Sequence, residues 1–578
     1  MAVRWTGFAS LTRRASPNYW DVIAFTMIVA VFVVIANGSR GMLAALPPPG
    51  AATVSLDYGN LPYYALRTVL RMFIALAFSF LFTFTYATLA AKSRRAEMVL
   101  IPILDVLQSV PVLGFLSFTV TVFTGAFPGS SLGPECAAIF AIFTSQAWNM
   151  AFSFYQSLRT GPRDLDEVTR GFRLTPWQRF WTLEVPFAIP GLLWNTMMSM
   201  SGGWFFVVAS EAISVGNTTI KLPGIGSYLA LAIEQRSVDA VIAAVAAMSV
   251  VILAYDQLLF RPVVAWASKF RVELSAAQIV EESWVLRIFQ RARAIRFLAH
   301  FISRRLMRYA FWRMEWPFRF QTGEGAHPRL SRVMDVLWFA AIGLATAWSA
   351  WKITAFVSTE LSWSDLRDTI GLTLLTLLRV VTLLALATVF WLPVSVWIGL
   401  RPRVAERVQP VAQFLAAFPA NVLFPLAVMA IVRFQLNPDI WLSPLIIFGT
   451  QWYIVFNVIA GASAFPNDLK EVALTFRSKG WQWWREVILP GIFPYYVTGA
   501  LTASGGSWNA SIVAEYVRWG QDKVAAHGIG AYIARATEAG DYPQIVLGVT
   551  VMSVFVILFN RLIWRPLFAY AGRRLRLD

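Results

Sequence analysis

Reactive side chains are scarce in this chain. One cysteine, Cys136, and three histidines, His300, His327 and His527, are spread over 578 residues. A lone cysteine excludes an internal disulfide framework and a cysteine-based metal site. The histidines stand too far apart in sequence to form a ligand pattern. Charged residues make up only 14% of the chain, far below the share in a soluble domain. No Gly-x-x-x-x-Gly-Lys-Ser/Thr run occurs, so a phosphate-cradling loop is not expected. No nucleophile–base constellation repeats or clusters, which argues against a membrane enzyme.

What the chain does have is apolar length. Hydrophobic residues make up 57% and aromatics 15%, with 25 tryptophans suited to interfacial belts. Apolar runs long enough to cross a bilayer recur from end to end. The expected fold is an all-α polytopic membrane protein, since helices satisfy their own backbone groups in lipid. Net charge is +17, but the basic residues fall in loops between spans rather than on a soluble domain. Membrane lipids, and no nucleic acid, are the partners this implies. Arg4, Arg13 and Arg14 precede the first apolar segment without a convincing small-residue cleavage site, so no cleavable leader is expected.

The pattern predicts about twelve spans in two parallel sets of six. The first set covers roughly 20–37, 65–91, 100–126, 136–156, 184–210 and 238–260. The second covers roughly 333–356, 371–399, 408–433, 439–460, 490–514 and 543–562. Lys and Arg place both termini inside. Arg67 and Arg71 fit that rule poorly, because they open a span from the outer side.

A 27-residue stretch occurs twice, at 164–190 and 468–494, with ten identical positions at an offset of 304. Chance gives about two. Other landmarks repeat with it. Gly224-Ile225-Gly226 matches Gly528-Ile529-Gly530, and Pro102 and Pro111 match Pro410 and Pro419. The expected domains are a first repeat over 1–267, a basic linker over 268–332 and a second repeat over 333–578. The polar loops fall at about 159–183 and 463–487. Parallel repeats imply a pathway at their interface. The linker reads as a basic amphipathic helix on the inner leaflet, or as a plain spacer between the halves.

In each loop an acidic pair, Asp164 with Glu167 and Asp468 with Glu471, reads as a helix N-cap and its reciprocal partner. Capping does not account for Phe172-Arg173 and Trp177 recurring as Phe476-Arg477 and Trp481. An apolar knob beside an arginine, repeated on the inner side, is a docking feature.

The loop resembles the cytoplasmic loop of permease subunits in type I ABC importers, where Glu-Ala-Ala is followed four residues later by Gly and then by Leu-Pro. LQSVPVLGF (107–115), VPFAIPGLLW (185–194), VASEAISV (208–215), PGIGSYL (223–229) and YDQLLFRPV (255–263) match the nitrate/sulfonate/taurine branch in order and spacing. The resemblance implies two permease halves fused in one chain. It implies a coupling helix in each half, with Glu167, Phe172, Arg173 and Trp177, then Glu471, Phe476, Arg477 and Trp481, against two ABC ATPase copies. ATP and Mg²⁺ then belong to those subunits, and this chain binds no cofactor. It also implies a periplasmic or lipid-anchored binding protein, the bacterial inner membrane, and a small oxyanion or sulfonate as cargo. The chain departs from the pattern where Val168-Thr169 and Val472-Ala473 replace the Ala pair, and where Arg173 and Arg477 replace Gly.

Span five is the expected pathway wall. Ser201-Gly202-Gly203 pairs with Ser504-Gly505-Gly506 through one local insertion, and Trp204 and Glu211 pair with Trp508 and Glu515. The tryptophans would form a constriction with the glutamates above it, and those glutamates are either simply solvated at the outer end of the span or part of a gate or pathway. Arg71 and Arg379 either snorkel outward or attract an anion to the mouth. A secondary transporter of the major facilitator type is the alternative reading. Its Gly-x-x-x-Asp signature is missing between spans two and three, at 90–99 and 399–408.

Overall fold

The computed structural model describes residues 18–40, 42, 53–161, 167–169, 171–215, 218–270, 283–312, 328–358, 360–463, 465, 469, 471, 473 and 475–574. The first half contains α1 (Tyr19–Arg40), α2 (Leu61–Lys92), α3 (Arg94–Ser109), α4 (Leu116–Ala126), α5 (Leu132–Arg159) and α6 (Val185–Glu211). After a hairpin of β1 (Ala212–Val215) and β2 (Thr218–Lys221) come α7 (Ile225–Glu234) and α8 (Val238–Tyr255). The linker contains α9 (Trp284–Arg291) and α10 (Arg293–Ala310).

The second half repeats the order. It contains α11 (Pro328–Val357), α12 (Trp363–Gly399), α13 (Pro402–Ala417), α14 (Phe424–Arg433), α15 (Gln451–Ser463) and α16 (Leu489–Ala514). The hairpin of β3 (Tyr516–Trp519) and β4 (Asp522–Ala525) follows, then α17 (Ile529–Ala539) and α18 (Tyr542–Phe559). Both hairpins are antiparallel, with Ala212 opposite Lys221 and Tyr516 opposite Ala525. They are a small departure from the all-α expectation.

Among the described residues, eight helices are long and apolar enough to span a membrane, nine if the pair Pro402–Ala417 and Ala420–Arg433 is one span bent by 75°. The first-half stretches that fall short of the expected twelve, α3 with α4, α5 and α6, are helical nonetheless. Polar residues lower their apolarity: Glu135, Gln146 and Asn149 in α5, and Asn195, Ser199 and Ser201 in α6.

Local chemistry sets the helix ends. The Ser93 side chain accepts from Ala96 N and the Asp541 side chain from Gln544 N, each capping a helix start. Pro111 and Pro419 fall where α3 gives way to α4 and α13 to α14, since proline disfavours helix in the residue before it. Wider π turns interrupt the helices at Phe180–Glu184 and Asp256–Phe260, and again at Trp484–Ile488 and Asn560–Trp564. Both pairs keep the offset of 304, and such turns gather at functional places.

The halves meet at the two proline breaks. Asn509 Oδ1 accepts from Val112 N at 2.9 Å, and Asn421 Nδ2 donates to Phe205 O at 3.1 Å. Trp194 stacks on Phe456 with ring centroids 5.0 Å apart. By contrast α11 lies at the rim, with none of its apolar window buried, as a lipid-facing helix requires.

Candidate functional site

A cavity of about 910 Å³ opens between the halves and is lined from both. The spacing of 3.6 residues per turn selects its wall from α6 and α16. Ser201, Gly202 and Phe205 face it from α6, and Ser504, Gly505, Gly506 and Asn509 face it from α16. Asn149, Asn195, Tyr453 and Thr502 add hydrogen-bonding groups. Arg565 is the charged residue of the wall among the described residues. The lining suits a small, oxygen-rich solute that hydrogen-bonds, more than a multiply charged one.

The tryptophans do not form the expected constriction. Trp204 and Trp508 are buried behind the wall. Trp204 packs edge-on against Tyr255, and Trp508 sits among Val112, Ile529 and Met552. The next residue in each case, Phe205 or Asn509, faces the cavity, and one step along a helix turns the side chain by about 100°. Gly203 is behind the wall too, against Met72 and Gln146.

The expected insertion in span five is also absent. The 304 offset holds at the π turns before the helix and at Glu211 and Glu515 after it, with unbroken helix between. Gly202 therefore corresponds to Gly506, and the two Ser-Gly-Gly runs lie one residue out of register.

Glu211 and Glu515 are neither solvated nor on the cavity wall. Glu211 accepts from Thr68 Oγ1 at 2.7 Å, Arg71 Nη1 at 2.6 Å and Gly226 N at 2.7 Å. Glu515 accepts from Thr376 Oγ1 at 2.8 Å, Arg379 Nη1 at 3.2 Å and Gly530 N at 2.8 Å. Each carboxylate closes the N-terminus of α7 or α17, where free amides and the helix dipole favour an anion. A Cβ on Gly224 or Gly528 would fall 2.3 or 2.2 Å from that carboxylate, which explains the repeated Gly-Ile-Gly. Gly528→Ala is expected to open this clasp and lower the unfolding temperature of the purified chain. Gly371→Ala, whose Cβ meets nothing within 4 Å, is the matched control.

The arginines also depart from expectation. Arg71 is fully buried and clamped by Glu135 (Nε–Oε2 2.6 Å) and Glu211, and Arg67 joins Glu135. Arg379 binds Asp439 at 2.8 Å as well as Glu515. Paired carboxylates offset both charges, so neither arginine is free to draw an anion to a mouth. This burial is why Arg67 and Arg71 fit the loop-charge rule poorly. Glu135 and Asp439 were missed by sequence reasoning. Their signal was an acid opening an apolar span at the repeat offset.

The turns that carry the repeated polar loops are alike in both halves. Leu174 N bonds Thr169 O at 3.1 Å and Ser478 N bonds Ala473 O at 3.0 Å, the wrap-back that ends a helix on a left-handed residue. That residue is Arg173 or Arg477, each with φ of 51°, where glycine is favoured. So the arginines stand where the resembled loop has Gly, and still adopt its conformation. Phe172 and Phe476 project beside them, 76% and 79% exposed. Glu167 and Glu471 are exposed as well. The capping expected of Asp164 and Asp468 lies outside the described residues. A capping box does occur at Thr175 and Gln178. Arg477→Gly is expected to keep or raise stability, because relief of about 1 kcal/mol of strain offsets glycine's backbone entropy. Arg477→Val should lower it, and thermal unfolding of the purified chain reads both.

Two parallel helical halves around a shared polar cavity define a solute permease. The comparisons specify the class. Residues 83–260 and 391–575 each match the family of binding-protein-dependent transport system inner membrane components, and the chain belongs to that family. The family model matches twice, so two halves of that family are fused in this chain. It is 30% identical over 192 residues to the bicarbonate transport system permease protein CmpB of Synechococcus elongatus, covering 33% of this chain and 66% of that one. It is 26% identical to the nitrate import permease protein NrtB of Leptolyngbya laminosa, over 31% of this chain and 60% of the relative. The trimethylamine N-oxide transport system permease protein TmoV of Pelagibacter ubique is 24% identical over 36% of this chain and 26% of its own length. The chain thus spans just under two thirds of the first relatives it matches. The major facilitator alternative is not favoured, and the family is a transport component rather than a catalyst.

Proposed function

We propose that this chain is the transmembrane component of an ATP-driven importer in the bacterial inner membrane, with both termini cytoplasmic. The two halves enclose the route of a small solute between them. The turns at 167–181 and 471–485 each seat one ABC ATPase subunit, and ATP and Mg²⁺ act there rather than on this chain. A substrate-binding protein delivers cargo from the outer side. The cargo is a small oxyanion or sulfonate of the nitrate or taurine kind. The uncharged hydrogen-bonding wall with Arg565 supports it, as do relatives named for bicarbonate and nitrate.

The observation that carries the docking is the pair of exposed Phe172 and Phe476 knobs on equivalent turns. A bare phenylalanine on each of two matching turns fits an apolar socket on a partner. Affinity purification of the full chain from its native membranes should bring down two ATPase subunits per copy. Phe172→Asp or Phe476→Asp should each lose one, and the double variant both, with the chain still folded. Full ATPase recovery by the double variant overturns the docking assignment.

A further inference from the structure

Between Trp284 and Trp312 the chain has seven arginines and no Asp or Glu. Its main helix, α10, has 18 residues. Leu298, Ile302 and Leu306 recur every fourth residue and form one stripe with Tyr309, all of them exposed. Arg293, Arg296, Arg304 and Arg308 project on the other side of the helix.

Both ends of α10 are tied down. At its start, Ala294 N donates to Asp21 Oδ1 at 2.8 Å, and Asn18 Nδ2 donates to Arg291 O at 3.0 Å. The Arg291 guanidinium lies 5.3 Å from the Trp20 ring centre. Those partners open α1, a candidate span, so α10 begins at the level where a span leaves the apolar layer. At its end, Trp177 Nε1 donates to Tyr309 O and Gln178 Nε2 to Phe311 O, both at 2.9 Å. The last carbonyls of a helix lack partners within it, and side chains of the first inner-side turn fill that role. The second half has no such tie among the described residues. Trp481 is 73% exposed there, and Gln482 bonds Glu486 in its own segment.

We propose that α10 binds anionic phospholipid at the inner membrane surface and passes that engagement to the first inner-side turn alone, through Tyr309–Trp177 and Phe311–Gln178. An exposed apolar stripe at interface level, flanked by arginines with no acid among them, matches the acyl boundary and its negative headgroups. A soluble protein would meet the arginines equally well but not the depth that Asp21 and Trp20 impose. The lipid contact stands by itself, whereas the transmission rests on the docking role proposed for 167–181. The two halves would then not be equivalent. Lipid charge would bias one ATPase seat and leave the other unchanged.

The test uses the full chain with Cys136→Ser and Ile302→Cys, labelled with an environment-sensitive fluorophore, in nanodiscs. Phosphatidylglycerol-rich discs are compared with phosphatidylcholine discs. Quenching by a nitroxide lipid should rise several-fold in the anionic discs and fall back at high salt. Arg296→Gln, Arg304→Gln and Arg308→Gln should each weaken that preference about fivefold. Hydrogen exchange over 171–179 should slow in anionic discs, Gln178→Leu should reduce that response, and 475–483 should not change. Equal quenching in the two lipids overturns the lipid contact. A label shielded by added ATPase instead of lipid overturns it in favour of a protein partner. A lipid-dependent label with unchanged exchange over 171–179 overturns the transmission, and leaves the docking assignment to its own purification assay.

Discussion

Arg71→Leu is expected to prevent the chain from accumulating as a folded membrane protein. Arg71 is fully buried between Glu135 and Glu211. Its removal leaves two carboxylates sharing only Arg67, Thr68 and the amide of Gly226. Breaking a buried pair by deleting one partner costs about 3–5 kcal/mol, a large share of a typical folding free energy. Arg379→Leu should be milder. Arg379 keeps 14% of its side chain exposed, and Asp439 retains the amide of His527 at 2.7 Å. Adding Glu211→Gln should partly rescue Arg71→Leu, because the amide carbonyl can accept from Gly226 N where Oε2 stood, the amide nitrogen can donate to the Thr68 hydroxyl where Oε1 stood, and no unpaired charge remains. Size-exclusion profiles of the detergent-extracted variants decide it. Equal losses for the two arginines, or no rescue, contradict this account of the cluster.

Gly505→Trp should abolish transport and leave the fold intact. A Cβ at Gly505 meets nothing within 4 Å, so the new ring extends into the cavity. Gly506→Trp differs, because its Cβ would fall 2.7 Å from Thr450 Cγ2. That variant should lose thermal stability as well as transport, since overpacking a closed contact typically costs about 1–3 kcal/mol. Uptake into proteoliposomes, read beside the unfolding temperature, separates blockage from misfolding. Normal uptake by Gly505→Trp would mean that solute does not pass this wall.

The helical repeat could be read from the chain because apolar length and loop charge are local properties. The offset of 304 located the matching turns and the Gly-Ile-Gly pairs, and an offset of 308 the proline breaks, without any contact being known. Side-chain direction was harder to read. Trp204 looked like a constriction because aromatic residues beside glycines suit one, yet helical phase turns it from the cavity. Matching on the letters Ser-Gly-Gly shifted span five by one residue, where the unbroken helix keeps 304. The role of Arg71 depended on Glu135, which lies 64 residues away. An isolated arginine in a span does not reveal its partner. The tie between Trp177 and the linker breaks the repeat, so no comparison of the two halves foretells it.

Thiol labelling separates a route lined by both halves from one that bypasses their shared wall. Gly202→Cys, Gly505→Cys, Trp204→Cys and Trp508→Cys are placed singly in the Cys136→Ser chain, assembled with its ATPase. A small polar thiol reagent should modify the residues at 202 and 505, at rates that change when ATP is added. Those at 204 and 508 should stay inert. Labelling at 204 and 508 with inert 202 and 505, in every nucleotide state, would contradict a shared route between the halves.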